Sequence, residues 1–349
     1  MTPEQAAAAI GAASGDDYIL KPLKHADELP GPARPLAEAL RDSQVRVLAE
    51  QYARHDEIAG KAQKLYRSTL LRANCAVFAA TILGAFMMAA EILASACRGA
   101  PESMADPTTT CAINLAWLHP VAIGAGILAG LAAIVSSMWL FKAREGQLLE
   151  RYLNCRAKAE AERGSYFSAL VAHAPDDAAV RLLKLEYFRR YQLEVQRGYF
   201  AHASERHARA AERTLRFGAY AVGFSAIPVF FAGSLGMSGG YWTALGALSV
   251  IGAAIGAFTS AHEAMSQNKR NAERYENALE ALELLAAKLD DVREAIAAGS
   301  ADALKAFVAA VNEQLATEHR QWLEAEQNAK KAIEMIEAAL AKVQKGNPA

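Results

Sequence analysis

The sequence is poor in the residues that staple or punctuate a small soluble fold. Four cysteines (Cys75, Cys97, Cys111, Cys155) form no C-x-x-C pair, which argues against zinc ligation. Eleven prolines in 349 residues and few β-branched runs leave little to break helices or build strands. Charge of one sign is missing too. The 37 basic and 38 acidic residues are interleaved and sum to −1, so no strong field draws in nucleic acid. Met1-Thr2-Pro3-Glu4-Gln5 and the alanine run after it lack a basic start and an apolar core, so a secretory signal is not expected. No nucleophile elbow, Walker A loop, H-E-x-x-H or kinase set occurs. His202 and His207 lie five apart on a charged helix, poor spacing for a shared metal, and read as a solvated face. The expectation is a protein that is not an enzyme, with no catalytic residue, cofactor or metal.

What is present is hydrophobicity, and it is segregated. Hydrophobic residues make up 53% of the chain and charged residues 21%, but the charges crowd into some helical stretches and nearly vanish from four others. Val121–Phe141 holds 21 residues without a charge, roughly 31 Å of helix and about the hydrocarbon thickness of a bilayer. The four expected spans lie at about 75–97, 117–141, 217–235 and 241–258, the last two separated by Gly236-Met237-Ser238-Gly239-Gly240. The fold class expected is all-α integral membrane: two transmembrane hairpins, four spans, with long amphipathic and coiled helices on the cytoplasmic side. A soluble bundle of buried Ala/Leu helices would not share the charge bias that follows.

Lys and Arg near the span ends orient the hairpins. Lys61, Lys64, Arg67 and Arg72 precede the first span, and Lys142, Arg144, Arg151 and Arg156 follow the second. Arg206, Arg209, Arg213 and Arg216 precede the third; Lys269, Arg270 and Arg274 follow the fourth. Against these fifteen, the short connecting loops hold only Arg98. Both hairpins should therefore point outward from the plasma (inner) membrane, with both termini cytoplasmic. Trp117, Tyr241 and Trp242 at the outer ends and Trp139 at the inner end fit headgroup-zone aromatics.

The chain also repeats itself. Glu150-Arg151-Tyr152-Leu153-Asn154 after the first hairpin matches Glu273-Arg274-Tyr275-Glu276-Asn277 after the second at four positions in five. The span before each copy carries a G-x-x-x-G, Gly126/Gly130 and Gly252/Gly256. Two copies of one unit are expected, helix–hairpin–helix over 46–172 and again over 176–345, after a partly extended N-terminal segment, 1–45, that carries Pro30, Pro32 and Pro35. Pro175-Asp176-Asp177 and Gly299-Ser300 mark helix boundaries in the second unit. Its last helix shows heptad spacing through Leu304, Val308, Val311, Leu315, Glu318 and Trp322 to Val343, with Glu318 the polar exception. That seam packs either within the chain or between chains.

Several residues in or near the spans are candidates for function. Gly126, Gly130, Gly252 and Gly256 admit close helix packing, within each hairpin or between subunits. Glu91 either snorkels outward, pairing with Arg98, or lines a pore. Asn114, His119 and Pro120 shape the second span's outer mouth, and Pro228 kinks the third span. Cys97 and Cys111 close the outer loop at its two ends and either form a disulfide or stay unpaired; Cys75 and Cys155 should stay free.

A basic amphipathic helix, a two-span hairpin and then Arg151-Tyr152, Arg156, Glu160, Arg163 and Tyr166-Phe167 resemble the SLATT family, the SMODS- and SLOG-associating two-transmembrane effector domains. The segment Phe307-Val308, Val311, Leu315, Glu318-His319-Arg320 and Trp322 is similar to the C-terminal helices of that family. The resemblance covers roughly residues 45–170 and, more weakly, 185–345, and the tandem arrangement departs from the single-hairpin form. It implies a prokaryotic membrane effector of nucleotide-linked or antiviral conflict systems that perturbs the membrane or forms a pore. It implies as partners the lipid bilayer, further copies of the chain and a cytoplasmic nucleotide-linked sensor. A membrane scaffold or sensor that signals through its cytoplasmic helices is the alternative. A housekeeping channel is opposed by the sparse polar content of the spans.

Overall fold

The computed structural model describes residues 1–15, 17–98, 117–145, 147–173, 177–234, 249, 251–253, 255–256, 258–260, 262–263, 266–321 and 324. Every regular element among them is helical. Cys111, Asn114, most of the span at 241–258 and the seam beyond 321 (Trp322 to Val343) lie outside these residues, as do the side chains of Cys97, Arg98 and Pro228.

The N-terminal segment carries more helix than its prolines suggest. Residues 1–42 form α1 (Pro3–Ile10), α2 (Pro22–Glu28), a 3₁₀ turn (Gly31–Ala33) and α3 (Pro35–Arg41). The prolines that read as extended chain stand mostly in the first turn of a helix, where the missing N–H has no partner to lose. Backbone is extended at Thr2 and, at the join between α2 and the 3₁₀ turn, at Leu29 and Pro30. At α1, Thr2 and Gln5 form a reciprocal capping box. Ala6, Ile10, Leu20, Ala26, Leu36 and Leu40 from this segment are buried in the main core.

The 56-residue α4 (Ser43–Arg98) follows, uninterrupted because no proline and only Gly60 and Gly84 fall inside it. α5 (Leu118–Glu145) is separated by the left-handed Gln147 (φ 42°) from α6 (Leu148–Ala172). α7 (Ala178–Phe188) starts on Asp177, whose carboxylate accepts from Val180 N at 2.8 Å. It passes through a π-helical turn, Arg189–Glu194, into α8 (Val195–Ser234). α9 (Ile251–Ser260), α10 (Asn268–Ala286), α11 (Leu289–Ala297) and α12 (302–321) complete the order. Gly299, at φ +101°, ends α11 in a conformation that favours glycine, and Ser300 Oγ accepts from Ala303 N at the start of α12.

Among the described residues, three stretches are long and apolar enough to cross a membrane: Ser43–Ile92, Leu118–Lys142 and Ala178–Phe231. α9 is a shorter apolar helix.

The chain divides into two compact units, and these cut across the sequence repeats. The first is Met1–Gln63, Leu149–Ala208 and Lys269–Ala349; the second is Lys64–Leu148 and Arg209–Asn268. The physical reason is that α4 and α8 change character along their length. Their charged halves pack with charged helices, and their apolar halves with apolar ones.

The first unit is built around α7, in which every residue from Val180 to Phe188 is buried. Tyr166, Phe167, Tyr187 and Phe188 interlock at its centre with ring centroids 4.9–6.4 Å apart. Leu304, Phe307, Val308 and Val311 of α12 enter the same core, and Leu315 packs against it. The described part of the heptad seam is therefore used within the chain. Even the charges on α7 are committed. Lys184 is fully buried and donates to His173 O at 2.5 Å and Val171 O at 3.4 Å, capping the carbonyl end of α6. Glu186, also fully buried, accepts from Arg293 at 2.7 Å and Arg189 at 2.5 Å.

In the second unit, α4 and α5 pack through small residues, with Ala85, Ala89, Ala122 and Ala125 buried. Ser136 Oγ donates to Ala73 O at 3.0 Å across this pair. The opposite face of α5 is open: Ile127, Leu128, Leu131, Ile134 and Met138 are each more than half exposed. Trp139 carries Arg72 at 4.9 Å and Lys142 at 5.3 Å over its ring, an amphipathic anchor at one end of the apolar band.

Candidate functional site: hairpin seams and repeat tyrosines

The four glycines occupy unequal positions. A Cβ on Gly252 would stand 2.1 Å from Ser225 Cβ and 2.7 Å from Ala221 O, and one on Gly256 would stand 3.3 Å from Val222 Cγ2. These glycines bring α9 against α8 within one hairpin. Gly126 faces Met87 Sδ at 2.7 Å, again within its hairpin, but the obstacle is the end of a flexible side chain. Gly130 has open space where its Cβ would stand. Three of the four glycines thus serve packing inside the chain, and Gly130 alone of them presents its small face outward.

Glu91 has a partner on the next helix, and its expected pairing with Arg98 lies outside the described side chains. His119 Nδ1 lies 2.7 Å from its Oε1, with both side chains partly exposed at 41% and 48%. The pair ties the end of α4 to the start of α5 across the hairpin. Cys75 and Cys155 are free thiols; the pairing of Cys97 with Cys111 falls outside what is described.

The repeat motif gathers in the first unit. Tyr152 from the first copy and Tyr275 from the second line one cavity of about 50 Å³, shared with Arg156, Glu160, Tyr199, Glu318 and His319. Gln63 Nε2 donates to Tyr152 Oη at 2.6 Å. Tyr275 stacks on Phe200 at 5.8 Å and approaches His207 at 5.7 Å. Glu150, Asn154, Glu273 and Asn277 face solvent in both copies. The arginines differ: Arg151 is exposed, whereas Arg274 is largely buried and meets Glu318 at 3.0 Å. That contact accounts for the polar exception in the heptad seam. His207 corrects the reading of a solvated face, since it is 9% exposed and lies against Tyr275, while exposed His202 bonds back to Gly198 O at 2.7 Å.

The electrostatics are those of a joint. Burial raises the Glu318 carboxyl, with Arg274 opposing, and burial lowers the His319 imidazole. Arg156 Nη1 pairs with Asp56 at 2.7 Å and Arg156 Nη2 with Glu160. Arg156 is thus matched by two carboxylates, whereas Arg274 Nη2 is buried without a hydrogen-bond partner among the described residues.

A second polar cluster forms around Arg163, which the sequence offered only as part of the family resemblance, and around Arg189 and Arg190, which it did not single out. The Arg163 guanidinium, buried at 2% exposure, donates to Gln192 Oε1 (2.5 Å), Tyr52 Oη (2.8 Å), Tyr191 O (2.8 Å) and Tyr18 O (3.2 Å). Arg190 donates to Asp17 Oδ2 (2.7 Å) and Ile10 O (2.6 Å). Arg189 donates to Gly11 O at 2.8 Å and pairs with Glu194. His25 Nδ1 lies 2.7 Å from Tyr187 Oη, and its ring stacks on Tyr191 at 4.3 Å. The available signal was Arg189-Arg190 set between Leu185, Tyr187-Phe188, Tyr191 and Leu193: charge where the pattern demands core.

No curated protein and no solved structure matches the chain. A family model does, and it falls within the second sequence repeat, 176–345, where the sequence resemblance is the weaker of the two. Residues 188–322, from the π-helical turn through α8, α9 and α10 into α12, match SMODS and SLOG-associating 2TM effector domain 1, so the chain carries a SLATT domain over that segment.

Proposed function

We propose that this protein is a membrane effector of a prokaryotic nucleotide-linked, antiviral conflict system, acting by perturbing the bilayer or forming a pore. The observation that carries this reading is that a two-transmembrane effector domain covers 188–322, on a hairpin whose seam is closed by Gly252 and Gly256. Closing the seam with small residues leaves the larger apolar side chains facing outward: Phe217, Tyr220, Phe224 and Phe230 are each more than half exposed. In lipid those faces gain nothing from hydrophobic burial, so assembly of copies relies on close packing. Gly130 is the small, open position that offers it. The effector is non-enzymatic, sits in the plasma membrane with both termini cytoplasmic, associates with further copies, and is triggered by a cytoplasmic nucleotide-linked sensor. Glu91 remains a candidate for the outer mouth of the path, held by His119.

Controlled expression in cells carrying a membrane-potential dye tests this reading. Depolarisation that scales with expression, and is lost on Gly130→Leu without loss of insertion, supports it. Unchanged potential at every expression level overturns it in favour of a scaffold or sensor. That second reading draws on α8, which runs unbroken from the polar core into the apolar stretch and can transmit position without a lesion.

A further inference from the structure

The π-helical turn at Arg189–Glu194 sits where the effector-domain match begins, on the helix that continues as α8 toward Phe231. A π turn widens a helix by one residue per turn, forms weaker hydrogen bonds and persists where surrounding contacts impose it. Here those contacts come from outside the matched segment. Consecutive arginines in the turn reach the last carbonyls of α1: Arg190 donates to Ile10 O at 2.6 Å and Arg189 to Gly11 O at 2.8 Å. Such carbonyls have no partner within a helix and carry the negative end of its dipole. Asp17 then takes Arg190 Nε at 2.7 Å, and Glu194, the turn's last residue, accepts from Ala13 N at 3.2 Å. From the other side Arg163 donates to Tyr191 O within the turn at 2.8 Å.

We propose that residues 1–28 are an intramolecular latch whose docking holds this turn in its π form, and that release lets the turn relax to an α-helix. Removing the extra residue turns everything beyond it by about 100° and shifts it by about 1.5 Å. The first helix of the effector hairpin thereby changes register. The latch grips both the turn and the helix leading into it, so the motion passes to α8, whose continuous backbone resists twisting. A link from register to membrane activity rests on the function proposed above; the register change itself does not.

The test uses the full chain in membranes, with Cys75, Cys97, Cys111 and Cys155 replaced by serine and with Gly218→Cys and Thr259→Cys introduced. A Cβ on Gly218 lies 3.6 Å from Thr259 Cβ, within the span a disulfide bridges. The latched parent and the conservative Asp17→Glu variant should cross-link readily on oxidation. Asp17→Ala and Arg190→Ala should cross-link at least roughly fivefold more slowly, as expected for a turn of about 100°, and should become susceptible to protease between residues 11 and 21. A truncation lacking residues 1–20, inserted to the same level, should behave like the alanine variants. Unchanged cross-linking in the alanine variants and the truncation overturns the latch, whether or not the segment becomes cleavable. Slowed cross-linking with no gain in depolarisation leaves the latch standing and counts against the pore-forming reading.

Discussion

A Cβ on Gly252 would lie 2.7 Å from the carbonyl oxygen of Ala221, a backbone contact that no rotamer change relieves. Gly252→Ala should therefore cost about 1–3 kcal/mol through overpacking, and Gly252→Leu should prevent the second hairpin from closing. Gly130→Leu meets open space and should change monomer stability by no more than about 0.5 kcal/mol. Thermal unfolding in detergent, set beside cross-linked oligomer size, checks both. Equal stability losses at 252 and 130 would contradict the seam.

Arg163 answers to a similar argument in the first unit. Its planar guanidinium serves four acceptors at once, so Arg163→Ala strands Gln192 and two backbone carbonyls in the core. The expected loss is about 3–5 kcal/mol. Arg163→Lys should recover little of it, because an ammonium cannot reproduce the fork. Circular dichroism melts of the purified chain measure both variants.

Arg274 and Glu318 give a prediction with a pH signature. Removing the guanidinium in Arg274→Ala leaves a largely buried carboxylate whose pKa burial already raises. A folded-state pKa raised above the unfolded one favours the fold at low pH, and that stability is lost as pH rises through the folded value. The variant should be weaker by about 2–4 kcal/mol near neutrality, approach the parent on acidification, and be restored by Glu318→Gln. A deficit independent of pH would mean that packing, not charge, was lost.

His25 runs the other way. Burial lowers its imidazole to about 4, against the favourable charges of Asp17 and Glu28 and alongside the unfavourable ones of Arg190 and Lys24. With the folded pKa below the unfolded value near 6.5, docking of α2 is at full strength above about 6.5 and weakens as pH falls toward 4. The ring is not fully enclosed, so the loss is on the order of 1–2 kcal/mol. His25→Phe keeps the stack on Tyr191 without a titrating group and should flatten protease susceptibility of the N-terminal segment between pH 7 and about 4.5. A parent whose susceptibility is already flat over that range would remove His25 from the docking.

The helices were legible because hydrophobic and charged residues alternate in blocks longer than a span. Val121–Phe141 announces itself by length alone, and the seam Leu304, Val308, Val311, Leu315 by its period. Partners were less legible, because they depend on which helices meet. Glu91 meets His119, 28 residues on and on the next helix, a partner that spacing along one helix does not reveal. The short helices of the N-terminal segment were hard to read because proline signals extended chain and a helix's first turn alike; burial of Leu36 and Leu40 tells them apart. Arg189 and Arg190 were hidden for a related reason. Their acceptors are backbone carbonyls near residue 10, and a carbonyl leaves no mark in a sequence.

The orientation of the hairpins gives the last prediction. Fifteen Lys and Arg residues flank the expected inner ends of the spans, and Arg98 stands alone in the short connecting loops. Under the positive-inside rule, that bias predicts the Lys- and Arg-rich ends of the spans on the cytoplasmic side. Trp139 supports it from the structure, with Arg72 and Lys142 gathered over its ring at the same end of the apolar band. Reporter fusions at residues 1 and 349 should therefore read cytoplasm, and a reporter inserted near Asp106 should read the outside. The arms fail separately. A cytoplasmic signal at Asp106 with both termini also inside would mean that the first hairpin does not cross, leaving 188–322 as the sole membrane unit. An outside signal at 349 alone would mean that the third helix crosses and the α9 region does not, giving three spans. Replacing Lys142 and Arg144 with alanine should weaken retention of the second span's inner end and raise the mixed-orientation fraction, whereas Arg98→Ala should leave it unchanged.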